Sequence, residues 1–413
     1  MTEKISIPQS VAFILDTLAQ NGFEGFIVGG CVRDYLLGIP PKDWDITTSA
    51  KPEDVKRIFD AQDNCHTVDT GIQHGTVTVV IAHIGYEVTT YRIDGEYKDS
   101  RHPESVIFTD DITGDLARRD FTMNTIAYNP EKGFVDPYGG IEDIKRELIR
   151  GVGDAAARFD EDALRIMRAV RFSAQLDFEI EAETKKAVYE KAFLIKNIST
   201  ERVREEFTKT LMSDHPEMIG VFKRTGILDI FIPGNAYDTD IHRHMLPLCP
   251  KQLPVRLAVI MAFTNCKDIN RQLKKMTYDN ETSRMTADIV KNRDLPLTDE
   301  YDMRVLINKM GRQGALLEIH FRSAVGIKEM IDKDNAKEII RLNGIYDKII
   351  ENGDCCTIKQ LSINGSDLMA AGVPKGRQIG EMLEKALDAV MREPEMNTKE
   401  KLFELLELKE DNI

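Results

Sequence analysis

The chain of 413 residues contains no run of about 20 apolar residues, the length that a membrane-spanning helix requires. Its N-terminal residues, Met-Thr-Glu-Lys-Ile-Ser, lack a basic stretch followed by an apolar one, so we expect no secretory signal. The six cysteines are scattered, and their spacing matches neither a disulfide framework nor a metal-ligand set. These absences argue against a membrane protein and favour a cytoplasmic protein with reduced thiols.

An excess of basic residues is also missing, since 55 Lys and Arg face 69 Asp and Glu and the net charge is −14. This balance argues against a protein that coats nucleic acid nonspecifically. It remains compatible with an enzyme that concentrates its cations in one cleft. The length exceeds what a single compact core accommodates, so we expect two to four domains.

The hydrophobic pattern changes along the chain. Helical spacing of apolar residues predicts a first helix over residues 8–21. The β-branched segments that follow predict strands at 25–29, 43–48, 75–82 and 86–92, the last two joined as a hairpin, before a polar loop over 93–116. From about Asp154 the helical period dominates. We therefore predict an α+β fold, with a small mixed-sheet head followed by an elongated all-helical remainder.

The segment from Gly25 to Ile46 carries the strongest chemical signal. Residues two apart on a strand point to the same side, so Asp43 and Asp45 are predicted to aim two carboxylates at one place. A divalent cation is the usual partner of such a pair. The Gly29-Gly30 turn permits close approach of a ligand to the backbone, and Arg33 adds a cation for the same anion. Together these residues predict a site for a metal and a triphosphate.

Two further segments fit the same chemistry. Glu87 lies on a strand that we expect to neighbour the Asp43–Asp45 strand, where a third carboxylate would complete a two-cation cluster. Arg118 and Arg119 precede a predicted helix start and suit a triphosphate. Asp120 beside them either accepts a hydrogen bond from a ribose hydroxyl or caps that helix.

The segment Glu161–Phe172 is predicted to be one helix with Asp162 and Arg165 on a shared face, extended by Arg168 and Arg171. A carboxylate acceptor beside a guanidinium donor complements cytosine and adenine, which present an amino donor next to a ring-nitrogen acceptor. Uracil and guanine present a carbonyl and an N–H instead. The pair therefore predicts either selection of C and A without a template or a simple intrahelical ion pair.

The motifs Gly29-Gly-x-Val-Arg-Asp34, Asp43-x-Asp45, Arg118-Arg-Asp-Phe-Thr-x-Asn124 and Glu161-Asp-x-x-Arg165 together resemble the class II tRNA nucleotidyltransferase/poly(A) polymerase family, and most of all its bacterial CCA-adding members. The resemblance spans residues 22–210 and returns weakly at 363–380. It implies a catalytic head at 1–153, a base-recognising helical neck at 154–214, a helical body at 215–340 and a tRNA-binding helical tail at 341–413.

The resemblance also implies roles for single residues. Asp43 and Asp45 would bind Mg²⁺, with Glu87 as third carboxylate. Nucleotide contacts are implied for the phosphates (Gly30, Arg33 and Arg119), the ribose (Asp120), the base (Asp162 and Arg165) and the support of the pocket (Arg168 and Arg171). The implied reaction is the template-independent addition of C, C and A to the 3′ end of tRNA from CTP and ATP.

Three readings stay open at the level of sequence. A full CCA-adding enzyme is favoured by the uninterrupted loop at 92–103, which resembles the family element for switching from C to A addition. A relative restricted to one nucleotide, either a poly(A) polymerase or a C-only or A-only adding enzyme, is the second. A catalytically silent RNA-binding protein is the third. His242 and His244 lack the partners of a phosphohydrolase site, and the basic stretch from Lys267 to Lys275 is interpreted as a solvated helix face.

Overall fold

The computed structural model describes residues 4–95, 106–234, 243–326 and 333–408. The chain divides into two compact units, Met1–Phe231 and Ile232–Ile413. The first unit holds the sheet, and the second consists of helices in the part that the structure describes. None of the described helices is long and apolar enough to cross a bilayer. The predicted α+β class is confirmed, and the four predicted domain limits remain predictions.

The strands of the first unit, in chain order, are β1 (Gly25–Val28), β2 (Ile46–Thr48), β3 (Cys65–Gly71), β4 (Thr76–Ile81), β5 (Ile84–Thr90), β6 (Arg92–Asp94), β7 (Val106–Phe108), β8 (Ala127–Asn129), β9 (Gly133–Val135), β10 (Leu148–Ile149) and β11 (Glu179–Ile180). Seven of them form one mixed sheet in the order β3-β4-β5-β2-β1-β8-β9. The pairs β6-β7 and β10-β11 form two small separate ladders.

The helices of the first unit are α1 (Gln9–Gln20), α2 (Gly30–Leu36), α3 (Pro52–Asp60), α4 (Ile112–Ala117), α5 (Gly140–Lys145), α6 (Ala155–Glu161), α7 (Leu164–Leu176), α8 (Ala182–Lys191), α9 (Thr200–Leu211), α10 (Ile219–Arg224) and α11 (Ile227–Phe231). The first predicted helix is confirmed, since α1 buries the four apolar residues that gave it its helical spacing, Val11, Ile14, Leu15 and Leu18.

The centre of the sheet decides where the predicted metal ligands lie. Strand β2 runs antiparallel to β1 and parallel to β5, with Ile46 opposite Val88. The predicted strand over 43–48 is too long, because β2 begins only at Ile46. Asp43 and Asp45 occupy the extended segment just before it, and the carbonyl of Asp45 still accepts a hydrogen bond from Val28 at 3.0 Å. The register therefore brings Asp45 next to Glu87, as predicted for neighbouring strands.

The hairpin of β4 and β5 is confirmed, with Val80 opposite Gly85. Its turn is formed by Ala82 and His83, both with positive φ. The polar loop predicted over 93–116 is wrong in part, because the structure forms the antiparallel ladder β6-β7 and helix α4 there. Residues 96–105, which include most of the predicted switching loop, lie outside the described residues.

The single helix predicted over Glu161–Phe172 is also wrong. Helix α6 ends at Glu161 and α7 begins at Leu164, with Asp162 in an extended conformation between them. The Asp162 carboxylate accepts a hydrogen bond from the backbone N–H of Leu164 at 3.0 Å. Short polar side chains compete in this way with helical hydrogen bonds, and an Asp can therefore end one helix and start the next. The periodicity of apolar residues does not reveal this break.

The second unit contains helices at Leu253–Met261, Ile269–Lys275, Asn280–Asn292, Glu300–Gly326, Lys333–Asn352, Gly365–Ala370, Arg377–Arg392 and Lys399–Leu405. Gly311 interrupts Glu300–Gly326 with a positive φ of 75°. The stretch from Lys267 to Lys275 exposes its four basic side chains, in agreement with the predicted solvated face. His244 is exposed, and His242 lies outside the described residues.

Candidate active site

A cleft of about 620 Å³ in the first unit brings together ten of the eleven predicted site residues. Its walls come from the Gly29-Gly30 turn, the segment before β2, the residues after α4, and helices α7 and α9. The predicted residues in its lining are Gly30, Arg33, Asp43, Asp45, Arg119, Asp120, Asp162, Arg165, Arg168 and Arg171. Glu87 does not line the cleft.

The carboxylates of Asp43 and Asp45 in the cleft and of Glu87 beside it repel each other. Partial burial raises the pKa of Asp45, and the nearby Asp43 raises it further, whereas Arg119 opposes the change. Partial burial likewise raises the pKa of Glu87, with added repulsion from Asp45 and Asp43. The three carboxylates are thus close enough to interact. Such a group favours a bound cation, which would relieve the repulsion.

The chemistry of these donors fits a hard divalent cation, which prefers carboxylate oxygens. These carboxylates are of the right chemical type for such a cation, but they do not form a complete coordination cage. Within the part of the chain that the structure describes, no three His, Cys, Asp or Glu side chains are arranged closely enough to enclose a metal ion. Sites that share a cation between protein and a triphosphate commonly use only one or two protein carboxylates.

The Gly29-Gly30 turn fixes one arginine of the cleft. Gly29 has a φ of +79°, and its N–H donates to the carbonyl of Ile126 at 3.1 Å. A Cβ atom at Gly29 would lie 3.0 Å from Nη1 of Arg119. Glycine suits this turn for two reasons: φ is positive, and a Cβ atom would press against the Arg119 guanidinium.

We expect Gly29→Ala to weaken nucleotide binding beyond what backbone strain alone explains. The strain of a left-handed alanine costs about 1–2 kcal/mol of stability. If Arg119 binds the phosphates as predicted, its displacement should also lower the affinity for the nucleotide, measured as a higher KM for CTP. Gly38→Ala is the matched control, because Gly38 has a φ of +72° and nothing within 4 Å of its Cβ position. Equal KM values in the two variants would contradict a role for the Gly29–Arg119 contact.

Two acidic residues outside the predicted set hold the arginines. Asp34 accepts hydrogen bonds from Arg33 at 2.6 and 2.9 Å. The fully buried Asp115 accepts from Arg118 at 2.7 and 3.0 Å and from Arg119 at 3.4 Å. Burial would raise the pKa of Asp115, but these two guanidinium groups lower it overall. Asp115 is therefore an ionised anchor that holds Arg118 and Arg119 in place.

Asp120 lies at the centre of a buried hydrogen-bond network. Its Oδ1 accepts from the Phe121 N–H at 2.9 Å and from Asn124 at 3.0 Å, and its Oδ2 accepts from Arg168 at 2.7 Å. Burial would raise the pKa of Asp120, but attraction to Arg168 and these hydrogen bonds lower it to about 2. Asn124 also accepts from Arg33 at 2.8 Å, so it connects Asp120 to the phosphate side of the cleft. The predicted ribose contact of Asp120 remains a prediction.

Asp162 and Arg165 both line the cleft, but they have separate partners. Asp162 pairs with Arg202 at 3.1 Å. Arg165 donates to Glu161 at 3.0 Å and to the carbonyl of Arg118 at 2.7 Å. The structure therefore contradicts the alternative of an intrahelical ion pair between Asp162 and Arg165. The two side chains remain candidates for contact with a base.

Comparison with known proteins identifies the family. A family model described as the Poly A polymerase head domain matches residues 25–150. Two others match residues 177–239 and 255–406, described as the Probable RNA and SrmB-binding site of polymerase A and as tRNA nucleotidyltransferase domain 2. A CCA-adding enzyme of Lactobacillus delbrueckii subsp. bulgaricus is 34% identical over 401 residues, which cover 95% of this chain and 96% of that one. The chain belongs to the CCA-adding enzyme family.

Solved structures of this family share the fold. The crystal structure of the Bacillus stearothermophilus CCA-adding enzyme in complex with CTP has a TM-score of 0.78 and 31% identity, and covers 98% of both chains. The Thermotoga maritima CCA-adding enzyme complexed with tRNA_CCA has a TM-score of 0.68 at 21% identity, with 98% of this chain and 96% of that chain covered. The latter similarity concerns the fold alone.

In this CCA-adding family member, helix α9 supplies two residues that the motifs did not predict. Arg202 contacts Asp162, and the buried Glu206 lies 2.8 Å from Arg171. The Arg171–Glu206 pair is a contact of opposite charges without the alignment of a hydrogen bond. The only signal in the sequence is their spacing, which places Arg202 and Glu206 on one face of a helix. The role of that face depends on the packing of α9 against α7, which is a tertiary contact.

Proposed function

We propose that this chain adds C, C and A to the 3′ end of tRNA, using CTP and ATP and releasing pyrophosphate without a nucleic-acid template. One observation carries the proposal. A single cleft is lined by the Asp43–Asp45 carboxylates, by arginines, and by the Asp162–Arg165 motif residues. These are the three groups that a reaction on a nucleoside triphosphate needs, for the reacting phosphate, the leaving pyrophosphate and the base.

Mg²⁺ is the cation that we propose for Asp43 and Asp45, with Glu87 as a supporting carboxylate. When bound, the cation would help to deprotonate the attacking hydroxyl and would neutralise charge on the phosphates. The raised pKa values of Asp45 and Glu87 support this proposal, because repulsion among carboxylates favours a cation in their midst.

The protein side chains act on the two ends of the nucleotide. The tRNA 3′ hydroxyl gives up its proton to solvent as its oxygen attacks the α-phosphorus. The bond from the α-phosphorus to the oxygen that bridges to the β-phosphorus breaks, and pyrophosphate leaves with that electron pair. Arg33 and Arg119 would attract the phosphates and the charge that develops on this leaving group. Gly30 begins α2 next to them and allows the chain to approach the phosphates closely.

Base selection is assigned to the α6–α7 junction. The Asp162 carboxylate would accept a hydrogen bond from the amino group of cytosine or adenine, and Arg165 would donate to the adjacent ring nitrogen. Arg168 and Arg171 would support the pocket through Asp120 and Glu206, with which they pair. A ribose contact by Asp120 would require its carboxylate to share an oxygen with its present donors.

The proposal is tested with purified protein, Mg²⁺, and tRNA that ends before its CCA. We expect two C additions with CTP alone and a complete CCA with both nucleotides. A-tailing of any length without C addition would replace the proposal with a poly(A) polymerase or an A-adding enzyme, and arrest after two C residues would indicate a C-only enzyme. Binding of tRNA with no extension would indicate a silent RNA-binding protein.

Free thiols at all six cysteines support the cytoplasmic location proposed with this function.

A further inference from the structure

We propose that Phe172 is a positioning residue for nucleotide binding, because its ring gathers three guanidinium groups into one positive wall of the cleft. The inference rests on the proposed function, since it concerns the same nucleotide site. It adds a residue to which no motif assigned a role. Phe172 lies on α7, about one helical turn after Arg168, and its side chain lines the cleft.

The geometry around the ring is unusual for a core phenylalanine. The guanidinium carbons of Arg171, Arg33 and Arg168 lie 4.1, 5.1 and 5.3 Å from the ring centroid. All three distances are within the range of about 6 Å for attraction between a cation and an aromatic face. The side chain is only 5% exposed, so water contributes little screening at the ring. One apolar side chain thus contacts three like charges.

The three cations repel one another, and attraction to the ring offsets part of that repulsion. Each also forms an ion pair with a carboxylate: Asp34 for Arg33, Asp120 for Arg168 and Glu206 for Arg171. Burial is the main cause that lowers the pKa of Arg171 to about 10; repulsion from Arg168 and Arg33 adds to it, and Glu206 and Asp120 oppose it. Attraction to the ring thus helps to keep the three side chains close to one another.

An aromatic ring suits this position better than a carboxylate. A fourth acidic residue would also hold the arginines together, but it would neutralise them and repel a triphosphate. The negative face of the ring attracts the cations without removing their net charge. The ring therefore holds the cations together without adding a further negative charge beside the nucleotide. Phe121 packs against the Phe172 ring in a T-shaped arrangement, with centroids 5.8 Å apart, and helps to fix its orientation.

The alternative is that Phe172 only fills space next to Phe121. The two roles differ in one physical property, because packing depends on the shape of the ring whereas cation binding depends on its electron density. Fluorination removes electron density from the ring face at almost constant shape. Replacement of Phe172 with 4-fluoro-, 3,5-difluoro- and 3,4,5-trifluorophenylalanine therefore separates the roles.

We expect the KM for CTP in tRNA extension to rise stepwise with the number of fluorines, by about three- to thirtyfold in total, at nearly constant kcat and Tm. Equilibrium binding of CTP should weaken in parallel. Phe207 receives the same series as a control, because it is fully buried and packs against the rings of Phe222 and Phe231. Its fluorination should leave KM unchanged.

A flat KM and a flat affinity for CTP across the Phe172 series would overturn the proposal, as would an equal rise in the Phe207 series. Phe172→Leu is a second variant that keeps an apolar side chain. It should raise KM at least as much as the trifluorinated ring, and a normal KM in a folded Leu variant would also overturn the proposal. Failure of the proposed function is distinct, because the unmodified protein would then bind CTP without extending tRNA.

Discussion

Asp45→Asn is expected to reduce nucleotide incorporation at least about a hundredfold in saturating Mg²⁺, with tRNA binding nearly unchanged. The substitution keeps the size of the side chain and removes the charge that would hold the cation. Asp43→Asn should have a comparable effect. Glu87→Gln should have a smaller one, because Glu87 interacts with the pair but does not line the cleft. Rates of CTP incorporation at several Mg²⁺ concentrations measure all three.

Asp45→Asn is also expected to stabilise the fold when no divalent cation is present. Folding raises the pKa of Asp45, so the folded state binds more protons than the unfolded chain between the ordinary and the raised value. The free energy of unfolding therefore falls as the pH rises through that interval. Asp45→Asn removes this pH-dependent loss of stability. Its Tm in EDTA at neutral pH should therefore exceed that of the unmodified protein, and added Mg²⁺ should reverse the order of the two Tm values.

Asp16→Asn is the matched control, because Asp16 is exposed on α1 and lies outside the cleft. It should leave the incorporation rate and the Mg²⁺ dependence of Tm unchanged. An Asp45→Asn enzyme that keeps more than a few per cent of the activity, or a Tm that ignores Mg²⁺ in the unmodified protein, would remove the basis for the metal assignment.

The sequence predicted best the features that depend on neighbouring residues. The amphipathic α1 and the β4–β5 hairpin follow from local periodicity and turn geometry, and both are present in the structure. The neighbour relation of Glu87 and Asp45 was also predicted, although it depends on the parallel pairing of β2 and β5. It required only that two strands of one small sheet be adjacent.

The parts that failed depend on polar competition or on distant packing. The predicted helix at 161–172 is split because the Asp162 side chain hydrogen-bonds the backbone, which apolar spacing cannot reveal. Arg202 and Glu206 were missed because their partners, Asp162 and Arg171, lie on elements about 40 and 35 residues earlier in the chain. A charged helix face indicates solvent exposure unless a tertiary contact is known.

Asp162 and Arg165 have separate partners, so separate substitutions can test their roles in base selection. If Asp162 imitates a pairing partner, Asp162→Ala should relax the rejection of UTP and GTP, whose carbonyl groups would no longer meet a carboxylate. Loss of one charge-assisted hydrogen bond costs roughly 1.5–3 kcal/mol, or about ten- to a hundredfold in discrimination. Arg165→Ala should instead impair CTP and ATP alike, because both bases offer a ring acceptor.

A purely structural role for Asp162 makes a different prediction. Its carboxylate pairs with Arg202 and accepts a hydrogen bond from the Leu164 N–H, so its loss would destabilise the α6–α7 junction without any effect on specificity. Arg202→Ala separates the two roles, because it breaks the ion pair and keeps the carboxylate. We expect this variant to melt earlier than the unmodified protein but to retain its preference for C and A.

Measurement of kcat/KM for all four nucleotides, with a melting curve for each variant, decides between the roles. Selection by the carboxylate requires that the preference relax in Asp162→Ala and persist in Arg202→Ala at a similar loss of Tm. An Asp162→Ala enzyme that melts early and still rejects UTP and GTP would refute the base-reading role. Selection would then depend on the shape of the pocket, and the Asp162 carboxylate would serve only to join α7 to α9.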